Sequence, residues 1–135
     1  ACTTAARAGS ITMLLDPYFR IQDALVDDRI DTIKADAALV GKSAAGLGDD
    51  GKGIVAAAAE LEKAGSIGDA RLAFGKLSDA VIAYSEQTKA NPGDDVVAMY
   101  CPMVKKSWMQ KGDKVRNPYG GKAMLDCGEK KKKNS

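Results

Sequence analysis

Six apolar residues, Ile30, Ile33, Ala37, Val40, Ala44 and Leu47, follow one another in alternating steps of three and four. Strand side chains repeat every two residues, so only an α-helix lines such a set along one face. The alternation is the spacing of a seam packed against a neighbouring helix. Upstream, Ile11, Leu14, Leu15, Tyr18 and Leu25 share another helical face, with Gln22 its single polar member. Pro17 falls inside that pattern. Either Asp16 caps a helix that has Pro17 at its first position, or a longer helix is kinked there. Asp27 and Asp28 offer a cap for the second helix, and the run Gly48-Asp-Asp-Gly-Lys-Gly53 reads as the loop that ends it.

The pattern continues downstream. A short third helix is predicted from Ile54 to about Lys63, turning Ala57, Ala58 and Leu61 inward. Ser66 and Asp69 have the three-residue offset of a capping box, with Asp in place of the usual Glu. Ala70, Ala73, Phe74, Leu77, Val81 and Tyr84 then share a face of a fourth helix, which Asn91-Pro92-Gly93 terminates. With 135 residues, 45% of them hydrophobic, the chain has the size of one domain. Much of that fraction is alanine and only 5% is aromatic, which suits closely approaching helices better than a sheet sandwich. The expected fold class is therefore all-α, a small antiparallel four-helix bundle over residues 10–92. It follows a disordered lead-in over 1–9 and precedes an irregular C-terminal segment over 93–129.

Lys130 to Lys133 supply four positive charges against a formal net charge of +2, so the rest of the chain is net negative. Residues 130–135 thus read as a solvated basic tail, and nucleic acid is not expected as a partner. No run of about 18 apolar residues exists, and no transmembrane segment is expected. Cys2, preceded by a small residue, has the placement of a lipoprotein cysteine after signal removal; an incidental cysteine is the other reading.

After Gly93 the composition changes. Two of the three cysteines, four of the five methionines, the one tryptophan and two prolines fall between residues 96 and 128. Pro102 biases Cys101 toward extended backbone, in which Cys101 and Met103 share a face. Met124 and Cys127, three apart, share a face in one helical turn. The turn Asn117-Pro118-Tyr119-Gly120-Gly121 is placed to fold the second pair against the first. Two thiolates and two thioethers would then converge, a soft donor set for Cu(I), Ag(I) or Hg(II). The same spacing fits a plain Cys101–Cys127 disulfide, or methionines that only fill the core. Met99 and Met109 read as core. Trp108 reads either as a ring covering a bound cation or as a plug at the core edge.

The stretches Tyr100-Cys-Pro-Met103, Trp108-Met-Gln110, Asn117-Pro-Tyr-Gly120 and Met124-Leu-Asp-Cys-Gly-Glu129 resemble an uncharacterised helical domain family of bacterial envelopes. Its members occur alone or attached to the periplasmic adaptor (membrane-fusion) subunits of copper and silver efflux systems. The likeness covers about thirty residues; the helical part is similar only in general pattern. The family often has a second aromatic where this chain has Gly120 or Gly121, which implies a looser turn here. The resemblance implies a periplasmic or envelope location, heavy-metal association and an efflux adaptor or other envelope protein as partner. The expected function is non-enzymatic binding of a thiophilic ion, Cu(I) first, by Cys101, Met103, Met124 and Cys127. The alternative is a structural or interaction domain with a Cys101–Cys127 disulfide. An enzyme is not expected: the chain has no histidine, and no carboxylate pair stands out.

Overall fold

The computed structural model describes residues 3–131, with side chains from Ile11 onward. Cys2 and residues 132–135 lie outside the described residues. Four helices come first: α1 (Thr3–Val26), α2 (Ile33–Ala45), α3 (Lys52–Glu62) and α4 (Ile67–Thr88). Helix α1 takes in most of the expected lead-in and runs through Pro17 without ending. An interior proline costs about 3 kcal/mol, and burial of Leu14, Leu15, Tyr18 and Ile21 around it supplies the opposing packing.

Helix α2 begins at Ile33, three residues after the first member of the seam, Ile30, which precedes the helix. Its N-cap residue Thr32 makes no side-chain cap bond. Asp28 does not cap it either. The Asp28 backbone is left-handed (φ 60°) and its carboxylate accepts from Arg71 at 2.7 Å. The expected Gly-rich loop is a 3-10 turn, Gly48–Gly51, that leads directly into α3. At the start of α4 the Ser66 hydroxyl accepts the Asp69 amide at 3.1 Å, the cap that the sequence spacing predicts.

The C-terminal segment corrects the expected fold class. Val96–Cys101 forms strand β1, Lys106–Lys111 forms β2 and Glu129–Lys130 forms β3. They make an antiparallel sheet in the order β2-β1-β3, with Met99 opposite Trp108 and Lys130. The protein is therefore a mixture of α and β rather than all-α. Two physical reasons hid the sheet. A six-residue apolar run carries too little periodicity to separate strand from helix. In β2 the residues Ser107 to Gln110 are all buried, so the strand shows no alternation of inside and outside.

Strand β2 lies against α4, close enough that the Lys106 side chain fills the space a side chain on Gly75 would need. One core results, in which Met99, Cys101 and Trp108 join Tyr18, Phe74 and Leu77. Lys130 sits in β3 and pairs with Asp113 at 3.1 Å, and the Lys131 amide donates to the Ala98 carbonyl. The first lysine of the basic run therefore belongs to the sheet, and the second is bonded to its edge. No helix among the described residues is long and apolar enough to cross a membrane.

Candidate functional site

The site begins at the end of β1. Cys101 is the last residue of that strand and is fully buried. A tight turn follows, closed by the Lys105 amide donating to the Cys101 carbonyl at 2.8 Å, with Lys105 in the left-handed region (φ 56°). Cys127 reaches the same place from the other end of the segment. A 3-10 turn, Gly121–Met124, is followed by the Cys127 amide donating to the Met124 carbonyl at 3.0 Å. Asn117 then clamps the chain: its amide nitrogen Nδ2 donates to the Cys127 carbonyl at 2.8 Å, and its backbone N–H donates to the Leu125 carbonyl. The two cysteines are bonded to each other, with their Cα atoms 5.6 Å apart, inside the usual disulfide range.

The other expected ligands are placed differently. Met103 lies in the turn beyond Cys101 and is 75% exposed. The extended backbone that would put both side chains on one face stops at Cys101, because the chain reverses at Pro102. Met124 is half-buried and folds over Gly120; its Sδ would lie 2.7 Å from a Cβ placed there. The methionine thus fills the volume that an aromatic at this position would take, and the turn is packed rather than loose. Trp108 is fully buried, with its ring edge-on to Tyr119 at 5.9 Å and its indole N–H donating to Gln110 at 3.0 Å. It plugs the core beneath Gly128, where a Cβ would meet the indole at 2.7 Å. Of the two readings of Trp108, this position is the core plug.

The side-chain contacts that organise the segment were not legible from sequence context. The Gln110 side chain, nearly fully buried, donates to the carbonyls of Gly112 and Lys114 and accepts the Arg116 amide. The Tyr18 hydroxyl accepts the Met109 amide and is 2.7 Å from the Ser78 hydroxyl. Tyr119 donates to the Ser107 carbonyl. These two tyrosines occupy the outer edge of β2, which would otherwise present unpaired backbone groups. Burial pushes both phenols well above the ordinary tyrosine value. Arg71 donates to the carbonyls of Pro118 and Leu25 as well as to Asp28, tying the turn to α1 and α4. That guanidinium holds the Asp28 carboxyl below the usual carboxylate range. Gln110 lies in the mostly polar run Lys106-Ser-Trp-Met-Gln-Lys111, so its sequence context does not mark it as the centre of this framework.

Chemically, the bonded pair offers no thiolate, and thiolate is the form that binds metal. The disulfide form therefore does not fit a soft ion. Among the described residues no three His, Cys, Asp or Glu side chains are grouped to hold a metal ion. Reduction would place two thiols side by side, a donor pair suited to two-coordinate Cu(I). Comparison of the chain with family models, curated proteins and solved structures finds no match.

Proposed function

We propose that the chain is a non-enzymatic domain of the bacterial envelope, pinned by its Cys101–Cys127 disulfide, that serves as an interaction module beside metal-efflux components. The observation that supports this reading is the pairing itself. Two cysteines 26 residues apart meet with Cα atoms 5.6 Å apart, one of them in the core of the sheet. Disulfides persist where the compartment is oxidising, which favours the periplasm. Closing a loop of this length stabilises the fold by roughly 3 kcal/mol. The envelope and efflux association rests on the resemblance of residues 100–129, and the absence of histidine supports a non-catalytic role.

The test is a thiol count on denatured protein taken from an oxidising compartment. One reactive thiol of the three cysteines is expected before reduction and three after it. Three reactive thiols without reductant would overturn the reading.

A second reading is carried by the same pair in its reduced state: uptake of Cu(I), with Ag(I) and Hg(II) as related ions. Two adjacent thiolates would be the donors, with Met103, two residues from Cys101 and 75% exposed, as a third donor to test. Titration of reduced protein with Cu(I) against a competing chelator tests it. Tight binding lost in Cys101→Ser and retained in Met124→Leu is the expected pattern. Equal binding by the Cys101→Ser variant would remove this reading.

A further inference from the structure

We propose that the Cys101–Cys127 bond is a redox-controlled latch on β3, whose opening frees residues 127–131, bares the outer edge of β1 and uncovers Trp108. This rests on the pairing that underlies the proposed function and adds a regulated state to it.

The two ends of the bond differ in access. Cys101 is fully buried, whereas Cys127 is half-buried in a stretch where Asp126, Glu129, Lys130 and Lys131 are all exposed. A protein dithiol of the Cys-x-x-Cys class is therefore directed to Cys127. Its thiolate bonds to the Cys127 sulfur, and the bond to Cys101 breaks with the electron pair leaving on the Cys101 sulfur, which takes a proton. The second thiol of the reductant then displaces Cys127 and leaves as part of a new disulfide. Two electrons and two protons pass to the domain.

Few other contacts hold the freed part. Strand β3 has two residues, both exposed. It is fixed by the Lys131 amide on the Ala98 carbonyl, by Asn117 on the Cys127 carbonyl and by an exposed Lys130–Asp113 pair. Such a pair contributes little, and a two-residue strand is marginal by itself. The chain just upstream is held otherwise. Tyr119 is buried with its hydroxyl on Ser107, Arg71 grips the Pro118 carbonyl, and Gln110 holds residues 112–116. The Asn117 backbone N–H also holds the Leu125 carbonyl, so the boundary between released and retained structure falls after Asp126. What the latch covers is specific. Ala98 and Tyr100 turn their backbone groups toward β3, and Gly128 lies directly on the Trp108 indole. An uncovered strand edge of this kind is a template for pairing with another strand.

Amide hydrogen exchange and tryptophan emission, compared between oxidised and dithiol-reduced protein, test the latch. Exchange at Tyr100 and Lys131 is expected to quicken by about tenfold or more, with a red shift of Trp108 emission. Met109 and Tyr119 keep their protection. A Cys101→Ser/Cys127→Ser double variant gives the same contrast without reductant, and glutathione trapped during reduction is expected on Cys127. Unchanged exchange at Tyr100 and Lys131 overturns the latch. So does collective loss of protection that includes Met109 and Tyr119, or an adduct on Cys101. Three free thiols in the untreated protein overturn the proposed function and the latch together. An intact disulfide with unaltered exchange on reduction removes the latch alone.

Discussion

The Tyr18 hydroxyl accepts the backbone N–H of Met109 at 2.9 Å, joining the first helix to the outer edge of β2 across 91 residues of chain. The same oxygen lies 2.7 Å from the Ser78 hydroxyl on α4, so one buried atom holds three elements in register. Tyr18→Phe keeps the ring, its stacking on Phe74 at 4.7 Å and nearly all of its volume. It leaves the Met109 amide buried without a partner. The expected loss is about 2 kcal/mol in chemical denaturation with an unchanged slope. A loss below about 0.5 kcal/mol would show that water replaces the hydroxyl.

Gly121 and Gly112 both have left-handed backbone, with φ of 62° and 80°, but different surroundings. A Cβ on Gly121 would collide with the Asp28 carboxylate and press on Arg71, while nothing lies within 4 Å of one on Gly112. Gly112→Ala should therefore cost only the backbone penalty, about 1 kcal/mol. Gly121→Ala should cost at least about 1 kcal/mol more, because it also breaks the Asp28–Arg71 pair. Thermal unfolding of the two variants side by side checks the ranking, and equal losses would contradict it.

Lys105 closes the β1–β2 turn in left-handed backbone, which a side chain disfavours. Its side chain is exposed, so its removal sacrifices little packing. Lys105→Gly should stabilise the protein by roughly 0.5 kcal/mol, the relief of the turn exceeding the added freedom of the unfolded chain. A drop in melting temperature would show that the lysine contributes in a way its backbone does not reveal.

Asp28 gives a pH signature. The hydrogen bond and charge of Arg71 lower its folded pKa below the unfolded value of about 4. A depressed carboxyl contributes stability above the unfolded value and loses it as pH falls through the folded one. Asp28→Asn tolerates the left-handed backbone and removes only the charge. The parent should melt higher than this variant at pH 6, and the gap should close as pH is lowered below about 4. A gap of constant size down to acid pH would mean that charge is not what the pair contributes.

The helices were legible because their signal is local. Leu14, Leu15 and Tyr18, or Val40 and Ala44, repeat at the helical period over many turns, and burial of those same side chains follows from the period alone. Ser66 marks the start of α4 directly, as the N-cap whose hydroxyl accepts the Asp69 amide three residues on. The clustering of sulfur, the turn at Asn117-Pro118 and the nearness of Cys101 to Cys127 were also open to sequence reasoning.

Which way each of these side chains faces depends instead on long-range packing. The reversal at Pro102 sends Met103 to solvent while Cys101 enters the core, a choice that depends on β1 finding β2 as its partner. Trp108 could cover a surface or fill an interior by its chemistry; it is buried because Gly128 and Tyr119 close over it from positions 20 and 11 residues away. Strand pairing, the Tyr18–Met109 bond and the clamp of Asn117 on Cys127 are all non-local contacts, and no periodicity within a short window encodes them. Local patterns in the chain specify four amphipathic helices and a sulfur-rich segment with two matched cysteines. Only the packing of that segment against α1 and α4 made it a sheet, because a strand's hydrogen bonds are satisfied by distant chain and a helix's by its own neighbours.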